Sequence, residues 1–160
     1  MRILIAVTVT VLLSTAGFAQ RGTPPPPTDR TKASYMSAAE VRAAIAKLPK
    51  DRANSSVRVF TLPPYNVNIE HRQPMAQGAS VHAATSELFY VIEGSATMLT
   101  GGKIVGEGAK TIEGGVSQKF APGDWLMVPS GVPHQFTDIQ SPITILSLHL
   151  PDVKDVKDVK

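Results

Sequence analysis

The chain has 160 residues, with 16 basic and 13 acidic side chains and a formal net charge of +3. That mild balance, the lack of a dense basic run and the few aromatic residues exclude a nucleic-acid surface built on a charged groove and stacking platforms. There is no cysteine, so no disulfide framework exists and an oxidising compartment poses no hazard.

Residues 1–19 read as a secretory signal peptide. Arg2 supplies the positive start, residues 3–13 the apolar region, and Gly17-Phe18-Ala19 the small residues at the cleavage site before Gln20. The competing reading is an uncleaved anchor. Against it, the uncharged run from Ile3 to Gln20 is near the lower limit of a span and contains several Thr, Ser and Gly. A cleaved signal leaves no stable membrane insertion and places the protein in a bacterial periplasm or secreted into the medium. No cysteine follows the apolar region, so there is no site for a bacterial lipid anchor.

Residues 20–34 form a Pro-rich linker around Pro24-Pro25-Pro26-Pro27, expected to be extended and solvated. Residues 35–56 hold one short helix and a connector. Ser37 and Glu40 have capping-box spacing, Met36 and Val41 can staple across the cap, and Val41, Ile45 and Leu48 fall on one face before Pro49. The helix should pack on the outside of the following domain or on a partner subunit.

From residue 57 the pattern is strands and turns. Strands are expected at 57–62, 65–71, 79–82, 87–99 with a turn at Gly94, 116–120, 124–128, 134–137 and 143–150. Short strands at this spacing argue for a single all-β sandwich or barrel domain over residues 57–150. Residues 100–115 carry six glycines and alternating charges, and read as an extended hairpin at the mouth or edge of the barrel. They lack the Gly-Lys-Ser/Thr pattern of a phosphate-binding loop. Residues 151–160 end in three copies of Asp-Val-Lys, a flexible tail that cannot build a core.

Chemistry concentrates in two stretches. In the first, His82 and Glu87 are separated by four small or polar residues, and the aromatic and β-branched run 88–92 ends near Gly94. A short hairpin would set the imidazole and carboxylate facing each other as two metal ligands, half of an acid–base pair, or a surface polar pair. In the second, Gly123, Pro129 and Gly131 punctuate a strand–turn–strand that leads to His134, Phe136 and Asp138.

Together these stretches resemble the paired motifs of the cupin superfamily. His82, four residues, Glu87, six residues and Gly94 match the latter part of the first motif. Gly123, Pro129, Gly131 and His134 match the second, with Asp138 at the place of its Asn. The resemblance covers about residues 57–150 and implies a double-stranded β-helix, the jelly-roll barrel, enclosing a pocket. It implies a metal site of His82, Glu87 and His134, two imidazoles and a carboxylate able to hold a divalent transition metal such as Fe, Mn, Zn or Ni. Ser80 stands where the family usually has a further His, which lowers the expected affinity. His71 and His149 are additional candidates for the missing imidazole. His71 is expected to look inward with Tyr65, Val67 and Ile69, and His149 shares a strand face with Ile143, Ile145 and Ser147. Strand parity makes Phe89, Val91 and Phe136 the expected pocket wall, and Asp138 a candidate to orient an imidazole.

The resemblance implies a small-molecule ligand and two functional classes. One is a metal-dependent oxygenase, isomerase or lyase. The other is a non-enzymatic binding protein with a degenerate metal site, and a vestigial structural subunit is the blandest reading. The family's habit of pairing barrel edges also makes a homodimer an expectation.

Overall fold

The structure is a computed structural model that describes residues 27–108 and 110–152. The expected signal peptide, the first part of the linker and the Asp-Val-Lys repeats beyond Asp152 lie outside the described residues.

One helix precedes the strands, α1 (Ala38–Ala46). Both halves of the capping box form: the Glu40 N–H donates to Ser37 Oγ at 3.2 Å, and the Ser37 N–H donates to Glu40 Oε2 at 2.7 Å. The helix is capped at Lys47, two residues before Pro49, and none of its residues is buried. It lies against the first strand, on the outside of the domain.

Ten strands follow: β1 (Asn54–Leu62), β2 (Tyr65–Arg72), β3 (Thr85–Glu93), β4 (Ala96–Thr100), β5 (Lys103–Val105), β6 (Thr111–Glu113), β7 (Val116–Phe120), β8 (Trp125–Val128), β9 (His134–Thr137) and β10 (Ile143–Pro151). They form a five-stranded antiparallel sheet, β1-β2-β10-β3-β8, and a three-stranded sheet, β7-β4-β9. The two sheets close over one core, to which β3, β8 and β10 give Phe89, Val91, Val128, Ile143 and Ile145, and β4, β7 and β9 give Ala96, Met98, Phe120 and Phe136. Burial of this apolar set drives the two layers together.

The expected glycine-rich hairpin is β5–β6, paired from Lys103↔Glu113 to Val105↔Thr111. Gln135 clamps it to the body. Its Oε1 accepts from Thr111 Oγ1 at 3.0 Å and from the Ile112 N–H at 3.1 Å, while its Nε2 donates to the Gln77 carbonyl at 2.7 Å.

One strand expectation changes, and the turn expected at Gly94 is found. The strand at 79–82 reduces to a single bridge, Ser80↔His134. His82 and Glu87 are accordingly not the two arms of a hairpin. The chain pairs with β9 at Ser80 and enters the other sheet at Thr85, so residues 81–84 cross from one layer to the other and Glu87 lies in β3. The expected strand 87–99 divides into β3 and β4 at Gly94, and here the chain crosses back.

Gly94 adopts φ +80°, and a Cβ on it would lie 2.6 Å from Ile143 Cγ2 and 2.7 Å from the Pro142 carbonyl oxygen. Strained backbone and a clash with fixed backbone act together. Gly94→Ala is expected to destabilise the domain by about 3 kcal/mol or more, measurable as a lower urea midpoint with unchanged slope.

Candidate metal centre

The centre lies where the 81–84 crossing and β3 meet the ends of β9 and β10. The second-motif turn holds it together. Gly131, at φ +76°, donates its N–H to the His82 carbonyl at 2.7 Å. The Ser130 N–H donates to Ser86 Oγ at 3.1 Å, and the Val132 N–H to the Pro129 carbonyl at 3.2 Å. The Pro129-x-Gly131 spacing thus bends the chain so that its backbone grips the first motif, and His134 then starts β9 directly opposite Ser80. The Ser80 and His134 N–H groups each donate to the other's carbonyl at 2.9 Å.

His82, Glu87 and His134 come together as the sequence expects, with one ligand atom from each within 4.8 Å of the others. Glu87 Oε2 lies 3.2 Å from His82 Nε2 and 2.9 Å from His134 Nε2. His149 approaches the other oxygen, its Nε2 3.1 Å from Glu87 Oε1. Three imidazoles therefore surround one carboxylate. Glu87 and His134 are buried, and the side chains of His82 and His149 are 37% and 30% exposed, which opens this face of the centre to solvent.

The donor set passes a direct test of fit for a cation. Glu87 Oε2 is buried and receives no hydrogen bond, although two ring nitrogens are close to it. His134 Nδ1 faces the Val132 carbonyl at 3.4 Å. A carbonyl only accepts, so a proton on Nδ1 satisfies this contact and leaves the Nε2 lone pair for a cation at the carboxylate. Lone pairs converging on a buried anion need a positive charge between them, a proton or a metal ion. In the metal-free protein burial pushes the Glu87 carboxyl up, but the His134 ring at hydrogen-bonding distance and the positive charge that the His134, His82 and His149 rings can carry outweigh it, so it sits below its ordinary 4.5. The sign follows for the metal-free protein. A lowered folded-state pKa gives stability that is present above pH 4.5 and lost as pH falls through the folded value. Thermal melts in chelator should therefore fall more steeply below that pH for the wild type than for Glu87→Gln.

The other candidates fall elsewhere. His71 is held in the sheet, its Nδ1 3.1 Å from Thr144 Oγ1. It sits five residues along β2 from Asn66, the cross-strand partner of His149, and so lies away from the centre. Its expected inward orientation is also reversed. Arg72 stacks on the core ring of Phe136 at 4.0 Å, so the face of β2 toward that core carries Arg72, Glu70, Asn68 and Asn66, and His71 lies on the opposite face with Val67 and with Ile69, which is itself buried there. Arg58 of β1 joins that polar inner face, donating from Nε to Asn68 Oδ1 at 3.3 Å. Sequence reasoning missed this stripe because both parities of β2 form a regular alternation. The polar one, Asn66-x-Asn68-x-Glu70-x-Arg72, was the signal.

Ser80 is exposed and joins the centre through its backbone. Asp138 lies beyond the far end of β9 from His134, at φ +54°, and lines a cleft of about 690 Å³ with Gly94, Lys119 and Asp124. It does not orient an imidazole; the Val132 carbonyl does that for His134. Phe89, Val91 and Phe136 do point inward, but each is at most 2% exposed and belongs to the packed core. A barrel this small fills its interior with side chains, so strand parity marks core here rather than pocket wall. Only Phe89 reaches the centre, its ring centroid 6.3 Å from that of His134.

The two-layer antiparallel β-fold with its His/Glu centre at one end is a jelly roll, the fold it shares with a cupin domain among solved structures. No family model matches the sequence, and no curated protein matches it. Among solved structures the chain is similar to the cupin domain of Schizosaccharomyces pombe Cnp3, at 9% identity and TM-score 0.53, covering 72% of this chain and 80% of that one. It is similar to KdgF from Halomonas sp., at 17% identity and TM-score 0.50, covering 69% of this chain and 93% of that one. It is also similar to Fe(II)-HppE with an alternative substrate, at 16% identity and TM-score 0.52, covering 66% of this chain and 57% of that one. Among the described residues, no helix is long and apolar enough to cross a membrane.

Proposed function

We propose that this is an exported cupin that holds a divalent transition metal at His82, Glu87 and His134 and acts there on a small polar organic molecule, as a metal-dependent oxygenase, isomerase or lyase. The observation that carries the reading is the buried Glu87 Oε2, without a hydrogen bond and flanked by two imidazole nitrogens. A divalent ion bound there supplies a Lewis acid with positions left for a ligand. The protein's own residues do the rest. Glu87 offsets part of the cationic charge, and the Val132 carbonyl fixes the His134 tautomer. Phe89 backs the His134 ring. Asn66, the cross-strand partner of His149, is a polar group on the inner face of β2 beside the centre, suited to a polar ligand. The similarity to an Fe(II) protein supports iron as the first metal to try. The signal-like residues 1–19 support export.

Ser80 favours a second reading, a non-enzymatic binder. It removes an imidazole from the place where the resembled motif usually has one, a change that a barrel used only for binding tolerates. The test uses residues 20–160 without a histidine tag, stripped with chelator and reloaded separately with Fe, Mn, Zn and Ni. Near-stoichiometric metal by elemental analysis supports the reading, and no metal under any condition overturns it. Thermal-shift screening of small organic acids and sugars then separates the classes. Ligand shifts that need metal, with turnover or oxygen uptake, fit the enzyme; shifts that persist without metal fit the binder.

A further inference from the structure

We infer that His149, from the last strand, supplies the third imidazole of the centre in place of the one missing at Ser80. This rests on the metal-site reading above and deepens it. Three observations meet here. His149 Nε2 is 3.1 Å from Glu87 Oε1, on the carboxylate oxygen that His82 and His134 leave free. His149 and Glu87 are cross-strand partners in the β10–β3 ladder, so register fixes their side chains on the same face and within reach of each other. The His149 ring centroid lies 5.6 Å from that of His82, so the two part-exposed imidazoles are neighbours at the carboxylate.

The relocation has a structural logic. Ser80 pairs with His134 across a reciprocal hydrogen-bonded bridge, so a side chain at position 80 leaves the backbone on the same face as His134. An imidazole there would enter from the three-stranded-sheet side. His149 enters from the five-stranded sheet, between the polar inner face of β2 and Glu87. Neutral imidazole is a strong ligand for these ions and serine hydroxyl a poor one, so a chain that moves the imidazole keeps a three-nitrogen, one-carboxylate donor set.

The experiment reads metal directly and needs no substrate. Wild type, His149→Ala, His149→Gln, Ser80→Ala, Ser80→His and the double variant Ser80→His/His149→Ala are loaded with Cu(II) or Co(II). Affinity is measured by competition with a chromophoric chelator, and coordinated imidazoles are counted by pulsed electron paramagnetic resonance of the Cu(II) forms. The expected result is three imidazoles in the wild type and two in either His149 variant, with affinity lowered about tenfold or more. Ser80→Ala keeps wild-type affinity. The double variant regains three imidazoles and most of the affinity, which a merely structural role for His149 does not produce. His149→Gln retains hydrogen bonding to Glu87, so it separates loss of a ligand from loss of fold. Two imidazoles in a metal-loaded wild type, or unchanged affinity in both His149 variants, overturns the inference and leaves the metal site standing. A wild type that takes no metal overturns both.

Discussion

Glu87→Gln abolishes metal retention while leaving the metal-free domain folded. Glu87 is the carboxylate in reach of all three imidazoles of the centre, and each of its oxygens has a ring nitrogen within 3.2 Å. The amide keeps its volume in a site where the side chain is 6% exposed, so no cavity opens. What disappears is the negative charge that offsets part of the ion's. Losing residues that merely orient ligands costs about 10–100-fold in metal affinity, and loss of the anionic ligand itself should exceed about 100-fold. Melting makes the result legible. With metal at about 100 times its dissociation constant, the wild type gains about 2.7 kcal/mol, an upward shift of about 10 °C or more for a domain of this size. The variant should show no metal-dependent shift and should melt within a few degrees of the metal-free wild type. His134→Ala should lose metal as well, but it also vacates a buried position against Phe89, so its metal-free melt drops. An unchanged metal-dependent shift in Glu87→Gln would remove the carboxylate from the site.

The legible parts of the fold and the centre are those carried by local chemistry. The Ser37–Glu40 cap, the left-handed Gly131 turn and the Gly94 crossing each depend on a residue type that its position demands, and all three can be read without the third dimension. His82, Glu87 and His134 were legible through the resemblance of the two motifs that carry them, and the turn at Gly131 holds those motifs together. The orientation of β2 was not, since Val67-x-Ile69 and Asn68-x-Glu70 alternate equally well and only the packing of Arg72 on Phe136 decides which faces in. The position of His149 depends on the β10–β3 register, a long-range property, so its face was predictable but its depth in the barrel was not. Phe89, Val91 and Phe136 show the same limit. Parity finds the interior and cannot tell a filled interior from an open one.

Phe136→Ala separates those two meanings of interior. Phe136 is 2% exposed, with edge contacts to Phe89 at 5.6 Å and Phe120 at 5.8 Å between ring centroids, and the Arg72 guanidinium 4.0 Å from its own. It joins the β9 layer to the β3 layer at the middle of the core. Truncation leaves a cavity that neighbours on two sheets cannot collapse into, at a cost of about 3–5 kcal/mol. It also strips Arg72 of the ring it lies on, leaving that guanidinium with its 2.6 Å pair to Glu70, its 3.3 Å hydrogen bond to Gln77 Oε1 and weaker cover. Since small domains hold about 5–15 kcal/mol in total, the melting temperature should fall by more than about 12 °C. Phe136→Leu keeps most of the volume and should lose roughly 1–2 kcal/mol. Metal affinity should follow the same order, because Phe89 packs between Phe136 and His134 and loosens when its support goes. A ring lining an open ligand pocket would behave the other way. Its loss would weaken ligand binding, and the melting temperature would barely move.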